Sequence, residues 1–126
     1  MKLEHRAITE KIIKAFYKVY NKLGYGFLEK VYERAMAIEL DSLGLEISCQ
    51  HPIVVLYDGQ VIGEYFADIM VEGVIILELK CAARIIDEHE AQLLNYLKGT
   101  TAELGFVLNF GKKPQFIRKI YHNHYK

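Results

Sequence analysis

Two apolar stretches of the chain each carry a charge where another apolar residue would be expected. Val74-Ile75-Ile76-Leu77-Glu78-Leu79-Lys80 reads as a buried strand that ends on an acid and a base. Strand alternation puts Glu78 and Lys80 on one face and Leu79 on the other. Burying charge is costly unless it is paired or bound to a cation. Taken alone, the pair fits a strand running out into solvent, or a Glu–Lys pair at a sheet rim. Asp68 interrupts a second apolar stretch, Tyr65-Phe66-Ala67-Asp68-Ile69-Met70-Val71, and a short turn joins the two. A two-residue turn at Glu72-Gly73 would send Asp68 and Glu78 to opposite faces. A three-residue turn, with Gly73 free to take positive φ, brings them to the same face. Converging carboxylates repel unless a proton or cation lies between them. Hard divalent cations such as Mg²⁺ or Mn²⁺ take oxygen ligands from such a pair. The expectation is an odd-numbered turn, with Asp68 and Glu78 together and Lys80 beside them.

These residues need elements to hold them. Ile8, Ile12, Ile13, Phe16, Val19, Tyr20 and Leu23 recur at helical spacing, and Gly24 is a natural stop. Lys11, Lys14, Lys18 and Lys22 line the other side, as on a solvated helix face. Leu28, Val31, Tyr32, Ala35, Met36 and Leu40 predict a second helix that ends near Leu43-Gly44. Ile47 to Tyr57 is β-branched and aromatic, with Pro52 marking an edge position or a break. Asp58-Gly59 is a hairpin turn. Val61 to Met70 and Val74 to Lys80 predict two more strands, and Asp87 to Leu97 a helix with Gly99 after it. Leu104 to Phe110 and Phe116 to Tyr121 close the chain as strands around Gly111-Lys112-Lys113-Pro114. The order ααβββαββ predicts an α/β sandwich with a mixed sheet and helices packed on it.

The 126 residues suit a single domain, 1–126, able to bury a core without staples. With 52% hydrophobic and 25% charged residues, disorder is excluded as the default. Cys49 and Cys81 have no zinc-ligand spacing, which predicts a reduced, cytoplasmic protein. Met1-Lys2-Leu3-Glu4-His5-Arg6 is charged, so no secretory leader is expected, and no apolar run is long enough to predict a membrane span. Zero net charge argues against a strong general pull on nucleic acid. The charge is divided, however: up to Leu97 there are 10 Lys/Arg against 15 Asp/Glu, and from Lys98 onward 6 against the single Glu103. That split allows a basic surface beside an acidic site.

Asp68 followed a hairpin later by Glu78-x-Lys80 resembles the PD-(D/E)xK nuclease superfamily. Ala67 stands where the name has proline, a position that varies in the superfamily. Gly26-Phe27-Leu28-Glu29-Lys30-Val31-Tyr32 resembles the signature of the small GxxExxY proteins, a branch of that superfamily. Gln92-Leu93-Leu94-Asn95-Tyr96 resembles the QxxxY motif of RecB-like exonucleases. The likeness covers nearly the whole chain, including the ending Leu108-Asn109-Phe110-Gly111. It implies a restriction-endonuclease-like mixed β-sheet flanked by helices, and a divalent-metal-dependent nuclease that hydrolyses phosphodiester bonds, in DNA ahead of RNA. Asp68, Glu78, the Leu79 carbonyl and Glu29 would hold Mg²⁺ or Mn²⁺. The cation would polarise the phosphate and acidify a water that Lys80 orients or deprotonates. Glu29 lies in the first turn of its helix, where the dipole favours a carboxylate. Gln92 and Tyr96, helical neighbours at i, i+4, would position a phosphate or end nucleotide. Lys112, Lys113, Arg118 and Lys119 would meet nucleic acid. So small and neutral a chain suggests a homo-oligomer or a partner protein supplying further DNA contacts.

Two rival readings stand beside this one. A nuclease-fold module could bind nucleic acid or a protein without useful turnover, and a purely structural α/β domain would make the three charged residues coincidental. Other signals carry less. Gly24-Tyr25-Gly26 is not a phosphate loop, since no strand precedes it and no Gly-Lys-Ser/Thr follows. His122-Asn123-His124 lacks the surroundings of a metal-dependent nuclease site. Glu88, His89 and Glu90 point in different directions from a helix, and His89 reads as helix margin. Cys81 reads as inert packing rather than a reactive thiol.

Overall fold

The computed structural model describes residues 3–126, with side chains from His5 onward; the expectation about a leader falls partly outside the described residues. Two helices, α1 (Leu3–Leu23) and α2 (Glu29–Ser42), precede three strands, β1 (Ile47–Tyr57), β2 (Gln60–Val71) and β3 (Ile75–Lys80). Helix α3 (Asp87–Lys98), strands β4 (Leu104–Phe110) and β5 (Pro114–Ile120), and a 3₁₀ turn at Asn123–Tyr125 follow. The strands form one sheet in the order β1-β2-β3-β4-β5. Only β3 and β4 run parallel. A parallel pair needs a crossover, and α3 supplies it.

The sheet has a core on each face. Ile12, Phe16 and Val19 of α1 and Tyr32, Met36 and Leu40 of α2 pack against Ile75, Leu77, Leu79, Phe106 and Phe110. On the other face Leu93, Tyr96 and Leu97 of α3 pack with Ile53, Met70, Ile76 and Val107. Covered on both faces, β3 and β4 are almost wholly buried, which is why they read as unbroken apolar runs. Pro52 lies in β1, an edge strand as expected. Asp58 and Gly59, at φ 49° and 78°, make the two-residue turn between Tyr57 and Gln60. Two of the four α1 lysines turn toward the neighbouring helix and its end: Lys18 pairs with Glu39 at 3.0 Å and Lys11 approaches the Leu43 carbonyl at 3.4 Å.

The boundaries differ from expectation at the end of the chain. β5 starts at Pro114, which pairs with Phe110, so the turn shrinks to Gly111-Lys112-Lys113. A proline that opens an edge strand forfeits no ladder bond. The 3₁₀ turn at Asn123–Tyr125 is too short to show a periodicity.

Helix α3 rests directly on β4 at Gly105. A Cβ there would lie 2.6 Å from Cδ1 of the fully buried Leu93 and 3.2 Å from the Ile76 carbonyl. Gly105→Ala should therefore cost about 1–3 kcal/mol, the usual range for overpacking, read as a lower denaturation midpoint with an unchanged slope. An unchanged midpoint would mean that α3 does not seat this closely.

Candidate active site

The turn between β2 and β3 decides whether the two acids meet. Val71 pairs with Ile75, leaving three residues in the loop. Glu72 and Gly73 both take positive φ, 54° and 66°, and the Val74 amide donates to the Val71 carbonyl at 3.0 Å. The odd-numbered turn is present. Continuing the register past Ile69↔Leu77 sets Asp68 opposite Glu78.

At that step the regular ladder ends and side chains take over. The Leu79 amide donates to Asp68 Oδ2 at 2.8 Å, and the Asp68 amide donates to Glu78 Oε1 at 3.4 Å. Each acid thus accepts from the backbone of the opposite strand, and the two are drawn together where the strands part. Glu78 is only 3% exposed. Its carboxyl is pushed up to about 9, chiefly by burial and then by Asp68 beside it; Lys80 opposes this only in small part. A buried acid facing another acid calls for a proton or a cation.

Side-chain alternation along β2 also breaks here. Ile69 and Val71 pack on the α1/α2 side, whereas Ala67 packs on the α3 side. Gln50, between the paired Cys49↔Ile69 and His51↔Ala67, has φ 51°. Its Nε2 donates to Glu33 Oε1 at 2.6 Å and approaches Asp68 Oδ1 at 3.4 Å. Gln50 therefore links the acid pair to α2. Glu33, 7% exposed, also receives Lys30 Nζ at 3.2 Å. Glu29, Glu33, Gln50 and Asp68 border a cleft of about 150 Å³.

Glu33 and Gln50 are absent from the sequence reading. Glu33 lies four residues after Glu29, on the same side of α2, but the motif drew attention to the earlier acid. Glu29 is exposed and borders the cleft, whereas Glu33 is buried and hydrogen-bonded in it. Gln50 owes its position to a backbone kink that no residue type announces. Among the described residues no three His, Cys, Asp or Glu side chains form a ready cage. The acids come as a close pair with Glu33 beyond Gln50.

From the opposite side of the sheet, α3 contributes Gln92 and Tyr96, joined by a 3.1 Å bond from Gln92 Nε2 to the phenol oxygen. Burial, and then the charge of Glu78, hold the Tyr96 phenol above its ordinary range, so it stays protonated. His89 caps its own helix, with Nδ1 accepting from the Ile86 amide at 3.1 Å. Beyond Lys80 the chain is pinned by the fully buried Asn109, whose side chain accepts from the Ala82 amide at 2.9 Å and donates to the Ala82 carbonyl at 3.0 Å. Gly111 completes the fit, since a Cβ there would lie 2.5 Å from the Ala82 carbonyl. The Leu108–Gly111 ending therefore fixes the segment that follows Lys80. Cys81 is an exception to the packing expectation: it is exposed. Partial burial of its sulfur, and then Glu29, push its thiol up, which keeps it a poor nucleophile.

Lys112, Lys113 and Arg118 are exposed, while Lys119 is half-buried and bound to Glu90 at 2.7 Å. Arg118 and Lys119 are consecutive in β5 and face opposite ways. Only Lys112 borders the larger cleft, of about 680 Å³, that lies beside Cys81 and Glu29.

No helix among the described residues is long and apolar enough to cross a membrane. No curated protein and no solved structure matches the chain significantly. A family model described as the PD-(D/E)XK nuclease superfamily matches residues 6–120, a span that takes in α1 from its fourth residue and every later element through β5. With the mixed five-stranded sheet and the ααβββαββ order in place, the chain belongs to the PD-(D/E)XK nuclease superfamily.

Proposed function

We propose that this chain is a divalent-metal-dependent nuclease of the GxxExxY branch, hydrolysing phosphodiester bonds in DNA. The observation that carries the reading is the buried Glu78 held against Asp68 at the point where β2 and β3 part. The donor set fits a hard cation: the two carboxylates and the Leu79 carbonyl are all oxygen ligands, with Glu33 or Glu29 available on the α2 side. When bound, Mg²⁺ or Mn²⁺ would polarise the scissile phosphate and raise the acidity of water. The chain's own groups do the rest. Lys80 shares its face with Glu78, and orients the attacking water and balances charge growing on the phosphate. Gln92 and Tyr96 offer neutral polar groups to a phosphate or nucleotide. A homo-oligomer or partner would add further DNA contacts to a chain of zero net charge. The chemistry and the membership suit a cytoplasmic protein with DNA as its partner.

Two mutational outcomes follow. Asp68→Ala and Glu78→Ala should each abolish Mn²⁺ binding in calorimetric titration, and unchanged binding in both would remove the site. Lys80→Ala should keep the metal yet slow single-turnover DNA cleavage by roughly 10²-fold or more, because a cationic side chain is not needed to hold a cation. A parent protein that binds DNA but never cuts it with either metal would point to a binding module instead.

The Glu78 carboxyl also predicts a pH effect. In the unfolded chain it titrates near 4.5, and in the fold it keeps its proton up to about 9. The folded state binds the extra proton between those values, so metal-free stability falls as pH rises through that window. Below it both states are protonated and the penalty vanishes. Glu78→Gln should melt close to the parent near pH 5. Near pH 8.5 it should melt about 4 °C higher or more, the shift that roughly 1 kcal/mol produces in a domain of this size. Mn²⁺ should raise the parent's melting temperature near pH 8.5 but not the variant's. Parallel pH profiles for the two proteins would contradict the buried, proton-holding Glu78.

A further inference from the structure

The loop between α1 and α2 has no part in the acid site, yet it forms one wall of the larger cleft beside it. Tyr25 and Phe27 project from this loop, 57% and 46% exposed. Gly24 and Gly26 hold it at φ 67° and 110°. The loop is held in shape from below by Tyr32, which is fully buried and stacked on Phe110 at 4.2 Å between ring centroids. The Tyr32 hydroxyl donates to the Gly24 carbonyl at 2.6 Å and accepts from the Phe27 amide at 3.3 Å. The Phe27 ring meets the Tyr32 ring edge-on at 6.1 Å. Two aromatic rings are thus kept in water by a buried tyrosine that fixes the loop on either side of them. Across the cleft stand Cys81, at the end of the strand that carries Lys80, and Lys112.

Resting on the nuclease reading above, we propose that Tyr25 and Phe27 form a stacking platform for an unpaired base, so that the substrate is a single strand or a frayed end. Exposed aromatic faces bind bases by stacking, whatever the sequence. Inside a duplex the faces of each base are already covered by its neighbours, so only an unpaired or terminal base can take this place. The charge distribution supports the same occupant. Zero net charge, with Arg118 and Lys119 turned apart and Lys119 bound to Glu90, weakens the general electrostatic pull that duplex binding uses. Stacking supplies affinity that does not depend on that pull, while Lys112 is placed to meet the backbone of the same strand.

The test exploits the absence of tryptophan from the chain. Tyr25→Trp gives a single emission reporter at the platform, read without metal so that nothing is cut. The probes are a 12-nucleotide oligothymidylate, an abasic strand of the same length, and a blunt hairpin duplex. The oligothymidylate should quench the reporter and bind the parent about tenfold or more tighter than the abasic strand. Tyr25→Ala with Phe27→Ala should remove that difference and leave abasic binding unchanged. Tyr32→Phe, which keeps the ring but frees the loop, should reduce the preference for the oligothymidylate. Equal binding of the abasic strand by the parent, or unchanged emission at saturating oligothymidylate, overturns the platform. If cleavage with Mn²⁺ persists under that result, the nuclease reading stands and only the platform falls. If no probe binds and no cleavage occurs, both fail.

Discussion

The arrangement around Asp68 and Glu78 depends on where the β2–β3 ladder stops. For three pairs the strands bond in regular antiparallel fashion, and at the fourth position two carboxylates occupy the opening. Each accepts a backbone amide that would otherwise serve the ladder. Those bonds hold the carboxylates in place, and burial on the α3 side denies Glu78 the water that would stabilise its charge. The result is a pair that is satisfied on its backbone side and in which burial and the neighbouring Asp68 favour the protonated form of Glu78.

The supports for this pair come from distant parts of the chain, and each acts through a different interaction. The three-residue turn sets the parity. The Gln50 kink turns an amide between Glu33 and Asp68, so α2 is joined to the sheet through a polar bridge rather than by packing alone. Asn109 grips Ala82 with both ends of its amide, fixing the chain just after Lys80. The Tyr20 hydroxyl lies 2.7 Å from the carbonyl oxygens of both Gly111 and Lys112 and ties the β4–β5 turn back to α1. Helix α3 approaches closely because Gly105 gives it room.

Most of this architecture was legible in the sequence, because the strongest signals were those of burial. The apolar runs of β3 and β4 and the periodic faces of α1 and α2 are set by local residue type. Asp68, Glu78 and Lys80 stood out because each interrupts or ends such a run. What could not be read depends on through-space geometry. Gln50 gains its place from its own positive φ in β1, which Gln carries no preference to announce, and Glu33 on α2 joins the acid pair only through it. Arg118 and Lys119 look like a pair in the sequence, but as consecutive strand residues they face opposite ways, and Glu90 binds Lys119. Asn109 looked like one letter of an ending, although it is a buried two-point clamp.

Two residues of the Gly26–Tyr32 segment have different physical tasks. Its glutamate, Glu29, is exposed at the start of α2, where the dipole favours its charge, and it borders both clefts. Its tyrosine, Tyr32, is buried and never reaches the acid pair, yet it fixes the loop carrying Tyr25 and Phe27. One helical turn therefore couples the shape of the outer cleft to the position of the acids, since Glu33 follows Tyr32 directly. Tyr32 turns into the core against Phe110 while Glu33 turns toward Gln50, so a shift of α2 along its axis would move the aromatic wall and the Glu33–Gln50–Asp68 bridge together.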